Sequence, residues 1–261
     1  MRTAVAALTA SLLAFTAALG GAWTLDRNKV AVFAGVTTSQ ATRLYDDGGA
    51  PSRQVVFNKL LSQGWFEYGL TGAVTLFAAT EYVLAASDMT GSGVAQVRST
   101  SVEAGARVLL LSRIGMLSVQ LSAKSAGAFD MSVSASGEAG RQFEARLLYG
   151  RSFKLLGRDA FFDIEVAERW IARPRPDELV FDVTAGIQVT KNNQLLIQSF
   201  NFRTDGGARP PYQSYRLSKL QASLVHRLSQ RWWLQSGYFF SLSGRNIVQE
   251  TGVVGSIWFR T

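Results

Sequence analysis

Polar and apolar residues alternate with a period of two along most of the chain. In residues 65–85, WFEYGLTGAVTLFAATEYVLA, the even positions are mostly apolar, whereas Glu67 and Glu81 fall on the odd phase. A period of two is typical of β-strands, because successive side chains of a strand point to opposite faces. The stretch therefore predicts two strands joined by a tight turn at 70–72, each with a carboxylate opposite an apolar face.

The same alternation recurs along the whole chain and predicts twelve strands. They are expected at 29–42, 57–70, 73–85, 98–112, 115–125, 137–152, 160–171, 178–190, 194–204, 215–229, 231–243 and 247–260. Segments of about ten residues or more exceed the five or six usual in soluble sheets. They match the length that a tilted strand needs to cross a bilayer.

The connections between these strands alternate in length. Tight turns are predicted at 70–72, 112–115, 191–193 and 229–231, and longer polar loops at 44–54, 87–96, 126–136, 173–178 and 204–214. Short turns on one side and longer loops on the other are typical of outer-membrane barrels. An even strand number then places both termini in the periplasm. The predicted fold is all-β: a single transmembrane antiparallel up-and-down β-barrel of about twelve strands.

Full charges fall on the polar phase in the middle of many strands. In a membrane barrel the apolar phase contacts lipid and the polar phase faces the interior. The residues predicted to line this lumen are Lys59, Glu67, Glu81, Glu103, Arg107, Glu144, Arg146, Asp163, Glu165, Arg169, Asp182, Lys219 and Arg227. A secreted sandwich or soluble barrel would instead bury the apolar phase and solvate these charges. Even in a membrane barrel, the charges could serve stability alone.

Aromatic residues near the strand ends favour the membrane alternative, since outer-membrane barrels carry aromatic girdles at both interfaces. The predicted girdle consists of Trp65, Tyr68, Tyr82, Tyr149, Trp170, Trp232, Tyr238 and Trp258. The final segment, IVQETGVVGSIWFRT, is similar to the terminal strand by which outer-membrane proteins are recognised for insertion. It differs in carrying Arg260 and Thr261 after the last aromatic residue.

The first 22 residues have the layout of a secretory signal peptide: one Arg, an apolar run, then small residues. We expect cleavage after Ala22, with a cut after Gly20 as the alternative, so that 1–22 is the signal peptide and 23–261 the barrel. An uncleaved membrane anchor is the other interpretation. The chain has no Cys, which leaves no disulfide framework for an exported protein.

Composition narrows the possible partners. The formal net charge is +8, which favours anionic surroundings such as outer-membrane lipid and lipopolysaccharide, or an acidic polysaccharide. Nucleic acid is not expected, because no basic cluster with interleaved aromatic residues is present. Partner export proteins cannot be identified from the sequence. The expected location is the outer membrane of a Gram-negative bacterium.

The sequence offers little for catalysis. His226 is the only His, and it falls on the lipid-facing phase near a predicted turn. Outer-membrane phospholipases need a His–Ser pair on neighbouring positions, whereas His226 and Ser229 are three residues apart and point to opposite faces. No Cys/His cluster has metal-ligand spacing. We therefore expect neither an enzyme nor a cofactor or metal.

Three stretches resemble a known family. GAWT at 21–24, SQATRLYDDGG at 39–49 and WFEYGLTGAVTL at 65–76 are similar to XagA-type outer-membrane proteins, which are encoded beside glycosyltransferases for an extracellular polysaccharide. The resemblance is clearest in the first third of the chain, and it implies a role in polysaccharide export or surface attachment in biofilms.

Two functional interpretations follow. One is an export barrel for an extracellular polysaccharide, with a narrow pore. An uptake porin for oligosaccharides or small solutes is a closely related alternative. The other is a non-conducting structural or adhesive surface barrel whose loops contact partners.

Overall fold

The computed structural model describes residues 21–88, 95–126, 141–173, 175–204, 209 and 213–261. The strands are β1 (Val30–Tyr45), β2 (Pro51–Thr71), β3 (Val74–Asp88), β4 (Ala95–Leu111), β5 (Met116–Ala126), β6 (Arg141–Leu155), β7 (Arg158–Ile171), β8 (Glu178–Thr190), β9 (Asn193–Thr204), β10 (Arg216–Arg227), β11 (Trp232–Arg245), β12 (Ile247–Val248) and β13 (Thr251–Arg260). Among these residues no helix is long and apolar enough to cross a membrane.

Each strand from β1 to β11 pairs antiparallel with the next, β11 pairs with β13, and β1 pairs with both β2 and β13. The sheet is therefore closed. The short β12 and the longer β13 both pair with β1, so they form a single strand interrupted at residues 249–250. The structure confirms the predicted all-β antiparallel barrel of twelve spanning strands.

The connections define two ends of the barrel. The turn end carries the connections at 72–73, 112–115, 156–157, 191–192 and 228–231, and it also holds the start of β1 and the end of β13. The loop end carries all the other connections. The predicted loops at 87–96, 126–136 and 204–214, the first part of the sixth predicted strand and most of the signal peptide lie outside the described residues.

Most strand boundaries differ from the sequence prediction by a few residues, and the largest difference is at β2. β2 begins at Pro51 instead of residue 57, because residues 51, 53 and 54 continue the ladder against Tyr45, Leu44 and Arg43 of β1 past a β-bulge. The tight turn between β6 and β7 lies at Leu156 and Gly157, both of which have positive φ. Glycine adopts this left-handed backbone without steric cost.

The outer surface of the barrel is apolar. Large hydrophobic side chains on the outward phase, such as Leu76, Val102 and Phe181, are 40–46% exposed. In water such a continuous surface would be strongly unfavourable, whereas it fits the hydrocarbon of a bilayer.

Apolar side chains also occupy parts of the interior. Two clusters fill the loop-end half: Tyr45, Ala167, Val180, Phe200, Phe202, Tyr215, Leu217 and Ile247 form one, and Ala41, Val55, Phe57, Leu61, Val83, Ala85 and Val248 form the other. We call them the loop-end clusters. A third group, the turn-end aromatic cluster, consists of Phe33, Trp65, Phe77, Ala79, Leu196, Val225 and Trp258.

Candidate functional site: the barrel interior

The structure places twelve of the thirteen charged residues singled out by the sequence inside the barrel, where their side chains are buried. Arg227 is the exception. It lies on the inward phase of β10 but is exposed at the turn end, where its Nε donates to the carbonyl oxygen of Ser229 at 3.0 Å and its guanidinium lies 6.0 Å from the ring of Trp233.

Arg146 on β6 is the centre of the largest group of ion pairs. Its Nε donates to Glu144 Oε1 at 2.7 Å, and its Nη1 contacts Asp182 Oδ2 at 3.1 Å and the carboxylate of Glu165. The guanidinium thus joins β6, β7 and β8 across the interior. Burying these charges is tolerable only because each finds an opposite partner.

Arg169 continues this network towards the loop end. Its Nη2 lies 2.7 Å from Glu144 Oε2 and its Nη1 lies 2.7 Å from Glu178 Oε2. The hydroxyl of Tyr215 donates to the other oxygen of Glu178. The ionic network therefore ends against the first loop-end cluster, to which Tyr215 belongs.

A second ionic group connects both ends of the chain. Glu250, at the interruption between β12 and β13, pairs with Lys59 of β2 and Lys219 of β10, and all three side chains are at most 1% exposed. Ser39 donates a hydrogen bond of 2.8 Å to Glu250 Oε1. One carboxylate is thereby shared between two ammonium groups.

Two further ion pairs lie on β2–β5. Arg107 Nη2 lies 3.0 Å from Glu67 Oε1, and both its Nε and Nη2 donate to Gln120 Oε1. Glu81 pairs with Lys124. Sequence reasoning missed Lys124, Glu178 and Glu250 as partners of the predicted charges.

The opposite wall of the interior is polar but uncharged. Its members lie on β8–β11 and β13 and are all buried: Thr184, Gln198, Gln221, Ser223, Gln235 and Ser256. Gln221 Nε2 donates to Gln198 Oε1 and to Ser223 Oγ, both at 3.0 Å, and Ser256 Oγ donates to Gln235 Oε1 at 3.1 Å. We call this surface the amide wall.

The chain before β1 enters the barrel from the turn end. The amide of Ala22 donates to Asp163 Oδ2 at 2.7 Å, and its carbonyl oxygen accepts from Ser118 Oγ at 2.6 Å. Arg107 Nη1 donates to the carbonyl oxygen of Trp23 at 3.0 Å. Interior side chains thus hold this backbone, and residues 21–25 form what we call the inner segment.

Close backbone contact fixes the chain that follows the inner segment. Gly69 exchanges hydrogen bonds with Asn28 and Lys29 at 2.8 and 2.9 Å. A Cβ at Gly69 would lie 2.0 Å from the carbonyl oxygen of Asp26, so only glycine permits this approach.

Two cavities open at the turn end. One of about 540 Å³ lies beside the inner segment and is lined by Trp23, Phe161, Asp163, Trp258 and Arg260, among others. The other, of about 870 Å³, is lined by the charged residues Arg158, Asp159, Lys191 and Arg227 together with Trp233 and several polar residues. We call the two cavities together the vestibule.

The predicted aromatic girdle needs a correction. Trp65 and Trp258 are 8% and 9% exposed and lie inside, in the turn-end aromatic cluster. Both share the inward phase of a polar neighbour, and Trp65 Nε1 donates to Glu67 Oε1 at 3.1 Å, whereas Trp258 Nε1 donates to Ser256 Oγ at 2.9 Å. The position of an aromatic residue near a strand end does not show which face of the barrel it occupies, whereas its alternation phase does.

The other six predicted girdle residues lie on the outward phase. Tyr82, Trp170, Trp232 and Tyr238 are 42–53% exposed. Tyr68 and Tyr149 are half-buried at the turn end, where their hydroxyls donate to Asn28 Oδ1 and to the carbonyl oxygen of Ile114.

His226 lies on the outer face at the turn end, where its Nδ1 is 2.8 Å from Asn193 Oδ1. Among the described residues, no group of three or more His, Cys, Asp or Glu side chains could hold a metal ion.

Comparison with solved structures identifies the fold as that of outer-membrane β-barrels. The COG4313 outer membrane channel from Pseudomonas putida F1 matches with a TM-score of 0.69 at 13% identity, covering 94% of this chain and 99% of that one. The translocator domain of the autotransporter NalP from Neisseria meningitidis matches with a TM-score of 0.59 at 12% identity, covering 90% of each chain. The KdgM porin, solved in complex with disordered oligogalacturonate, matches with a TM-score of 0.53 at 8% identity, covering 88% and 98%.

No protein-family model matches the sequence, and no curated protein matches it. The resemblance to XagA-type proteins therefore finds no support beyond the general barrel fold, and the association with an extracellular polysaccharide stays a prediction.

Proposed function

We propose that the protein is a narrow outer-membrane channel for an extended carbohydrate chain, and that its use is the export of an acidic extracellular polysaccharide. The observation that carries this proposal is the amide wall, which adjoins the vestibule at Thr184. Amide and hydroxyl groups both donate and accept hydrogen bonds, as the hydroxyls of a sugar require. The exposed face of an aromatic ring complements the apolar face of a sugar, and the vestibule contains Trp23, Trp233 and Trp258.

Unpartnered polar atoms support a wet interior. Among the described residues, both amide atoms of Gln142, Oε1 of Gln221 and Nε2 of Gln235 are buried without a hydrogen-bond partner in the protein. Buried polar atoms without protein partners are normally bonded to water. Thr37 and Arg175 also carry one such atom each, and Gln221 and Gln235 belong to the amide wall, so the same surface that suits a sugar also suits a hydrated path.

The charges of the larger cavity of the vestibule favour an anionic chain that enters from the turn end. Arg158, Lys191 and Arg227 line this cavity with a single carboxylate, Asp159, whereas the smaller cavity is lined by Arg260 and three carboxylates. Positive charge at the mouth of a narrow cavity raises the local concentration of anions. With both termini and the turn end in the periplasm, this asymmetry favours export over uptake. The similarly folded KdgM porin, solved with an oligogalacturonate, is a precedent for an acidic sugar in a barrel of this shape.

The test is single-channel conductance of the refolded mature protein in a planar bilayer, with polygalacturonate added to one side at a time. Because the inner segment lies in the lumen at the turn end, we expect intermittent openings of small conductance and a block that is stronger from the turn end. Arg227→Gln should weaken this block several-fold, because it removes a vestibule charge. Arg113→Gln is the matched control, since Arg113 is exposed in a turn at the same end but does not line the cavity.

A second function is favoured by the loop-end clusters. Phe57, Leu61, Phe200 and Ile247 are at most 2% exposed and fill the interior towards the loops. Such packing suits a non-conducting structural barrel that holds a polysaccharide or partner at the surface. A correctly folded barrel that never conducts would refute the channel and leave this function.

A further inference from the structure

Three arginines stand side by side on the outer face of the barrel near the loop end. In the strand register, Arg216 of β10 is directly opposite Arg203 of β9 on one side and Arg245 of β11 on the other. Cross-strand neighbours have Cβ atoms about 5 Å apart, and like charges so placed repel each other. We call these residues the arginine row.

Among the described residues, an acidic group pairs with only one member of the row. Asp47 accepts hydrogen bonds from Arg245 Nε and Nη2 at 3.0 and 2.6 Å. These bonds and those from Asn246 lower the pKa of Asp47, so it is ionised at neutral pH. Among the described residues no ion pair involves Arg203 or Arg216. The row therefore keeps an excess of positive charge that an anion would stabilise.

A partly apolar groove lies directly beside the row. A cavity of about 380 Å³ is lined on this outer face by Arg203 and Arg216, by the apolar Leu179 and Phe181, and by the uncharged polar residues Asn201, Ser218 and Ser243, and no described carboxylate contributes to it. A β-bulge helps to shape the wall at this point, because Ser218 opposes Ser243 whereas Lys219 opposes Ser241. The groove thus combines two guanidinium groups with a surface that fits a hydrocarbon chain.

The height of the row on the barrel matches the boundary of the apolar band. Arg203 lies ten residues along β9 from Asn193, a polar residue of the outer face that contacts His226 at the turn end. At about 3.4 Å per residue and a tilt of about 40°, the two levels are roughly 26 Å apart along the membrane normal, close to the ~25 Å apolar band of outer-membrane barrels. Phosphate groups of membrane lipids lie at this boundary.

We infer that the arginine row and the adjoining groove bind a phosphorylated, acylated glycolipid of the outer leaflet, of the lipopolysaccharide class, with phosphate on the guanidinium groups and an acyl chain against Phe181. Arginine is suited to this role because its planar guanidinium binds phosphate in a bidentate manner. The inference rests on the proposed outer-membrane location with the loop end outside. It does not depend on whether the lumen conducts.

The test is native mass spectrometry of the detergent-solubilised mature protein titrated with bisphosphorylated lipid A. The double variant Arg203→Gln/Arg216→Gln should bind roughly thirtyfold more weakly, from the contribution of two basic side chains near a lipid headgroup. Arg43→Gln/Arg98→Gln is the matched control, because it removes two exposed arginines near the same end but outside the row. Its lipid affinity should equal that of the wild type.

Two further arms identify the ligand. Dephosphorylated lipid A should bind as weakly to the wild type as bisphosphorylated lipid A binds to the double variant, and inorganic phosphate at millimolar concentration should not displace the lipid. Equal lipid binding by the double variant and the wild type would overturn the inference. Displacement by polygalacturonate would also overturn it, since the row would then be a glycan site. Single-channel conductance of the double variant should stay at the wild-type value. A failed prediction of lipid binding and a failed prediction of conduction can therefore be told apart.

Discussion

The inner segment predicts a substitution whose effect on conductance has a definite sign. Gly150 of β6 faces the interior, and a Cβ at this position would lie 2.6 Å from a ring carbon of Trp23 and 2.9 Å from Asp163 Oδ2. Ordinary contacts between carbon atoms are about 3.5–4.0 Å. Gly150→Ala therefore forces the Trp23 ring, and with it the inner segment, to move by about 1 Å or to leave the barrel.

The free energy that holds the inner segment in the barrel is a small difference between hydrogen bonding and the entropic cost of ordering the segment. Its backbone makes four hydrogen bonds to interior side chains, of which those to Asp163 and Arg107 involve charged groups. Bonds to charged groups contribute about 1.5–3 kcal/mol each and neutral ones about 0.5–1.5 kcal/mol. Ordering five residues costs about 1–2 kcal/mol each, so gains and costs agree within a few kcal/mol. Overpacking of about 1–3 kcal/mol then raises the ratio of undocked to docked chains roughly 5- to 150-fold.

The assay is the open probability of single channels in a planar bilayer, and Gly72→Ala is the matched control. A Cβ at Gly72 meets nothing within 4 Å, so this variant should behave as the wild type. If the inner segment obstructs the lumen, Gly150→Ala should raise the ratio of open to closed time at least about fivefold. A methyl group that merely narrowed the lumen would lower the single-channel conductance instead. A lower or unchanged ratio of open to closed time in Gly150→Ala, with the barrel folded, would show that the inner segment does not obstruct the lumen.

Two other predictions concern stability and processing. Glu250→Gln should lower the free energy of unfolding by about 3–5 kcal/mol, because it removes the shared partner of Lys59 and Lys219; urea unfolding in micelles measures this. Asp159→Asn, which breaks an exposed pair with Lys154, should cost less than about 1 kcal/mol, and equal losses in the two variants would contradict the argument. Both polar backbone atoms of Ala22 are bonded to interior side chains. The intact mass should therefore show a mature chain that begins at residue 21, which corresponds to cleavage after Gly20. A mature chain that begins at residue 23 would instead support cleavage after Ala22.

The alternation of residues was sufficient to predict the barrel, its strand number and the faces of most charged residues. It worked best where one phase is charged, as at Glu144 and Arg146. Lys124 could have been found in the same way, since it continues an inward phase of Ser118, Gln120 and Ser122. Glu250 could not, because the interruption before β13 hides which face it occupies.

Other parts of the site gave no periodic signal. Near the loop end both faces of β2 are apolar, as at Val55, Val56 and Phe57, so the pattern could not predict the loop-end clusters. The inner segment has no strand periodicity, and its position depends on side chains from distant strands such as Ser118 and Asp163. The arginine row depends on the register of three strands, which alternation alone does not determine.

The position of Glu250 also bears on the order in which the barrel assembles. The first strand can complete the ring only when the last strand arrives, since β1 pairs with both β2 and β13. Glu250 arrives with that last strand and neutralises Lys59 near one end of the chain and Lys219 near the other. If the sheet closed without this strand, the two ammonium groups would approach without the shared counter-charge and repel each other. The final seam is therefore favoured electrostatically as well as by its backbone ladder, and a sheet that still lacks its last strand is disfavoured from closing.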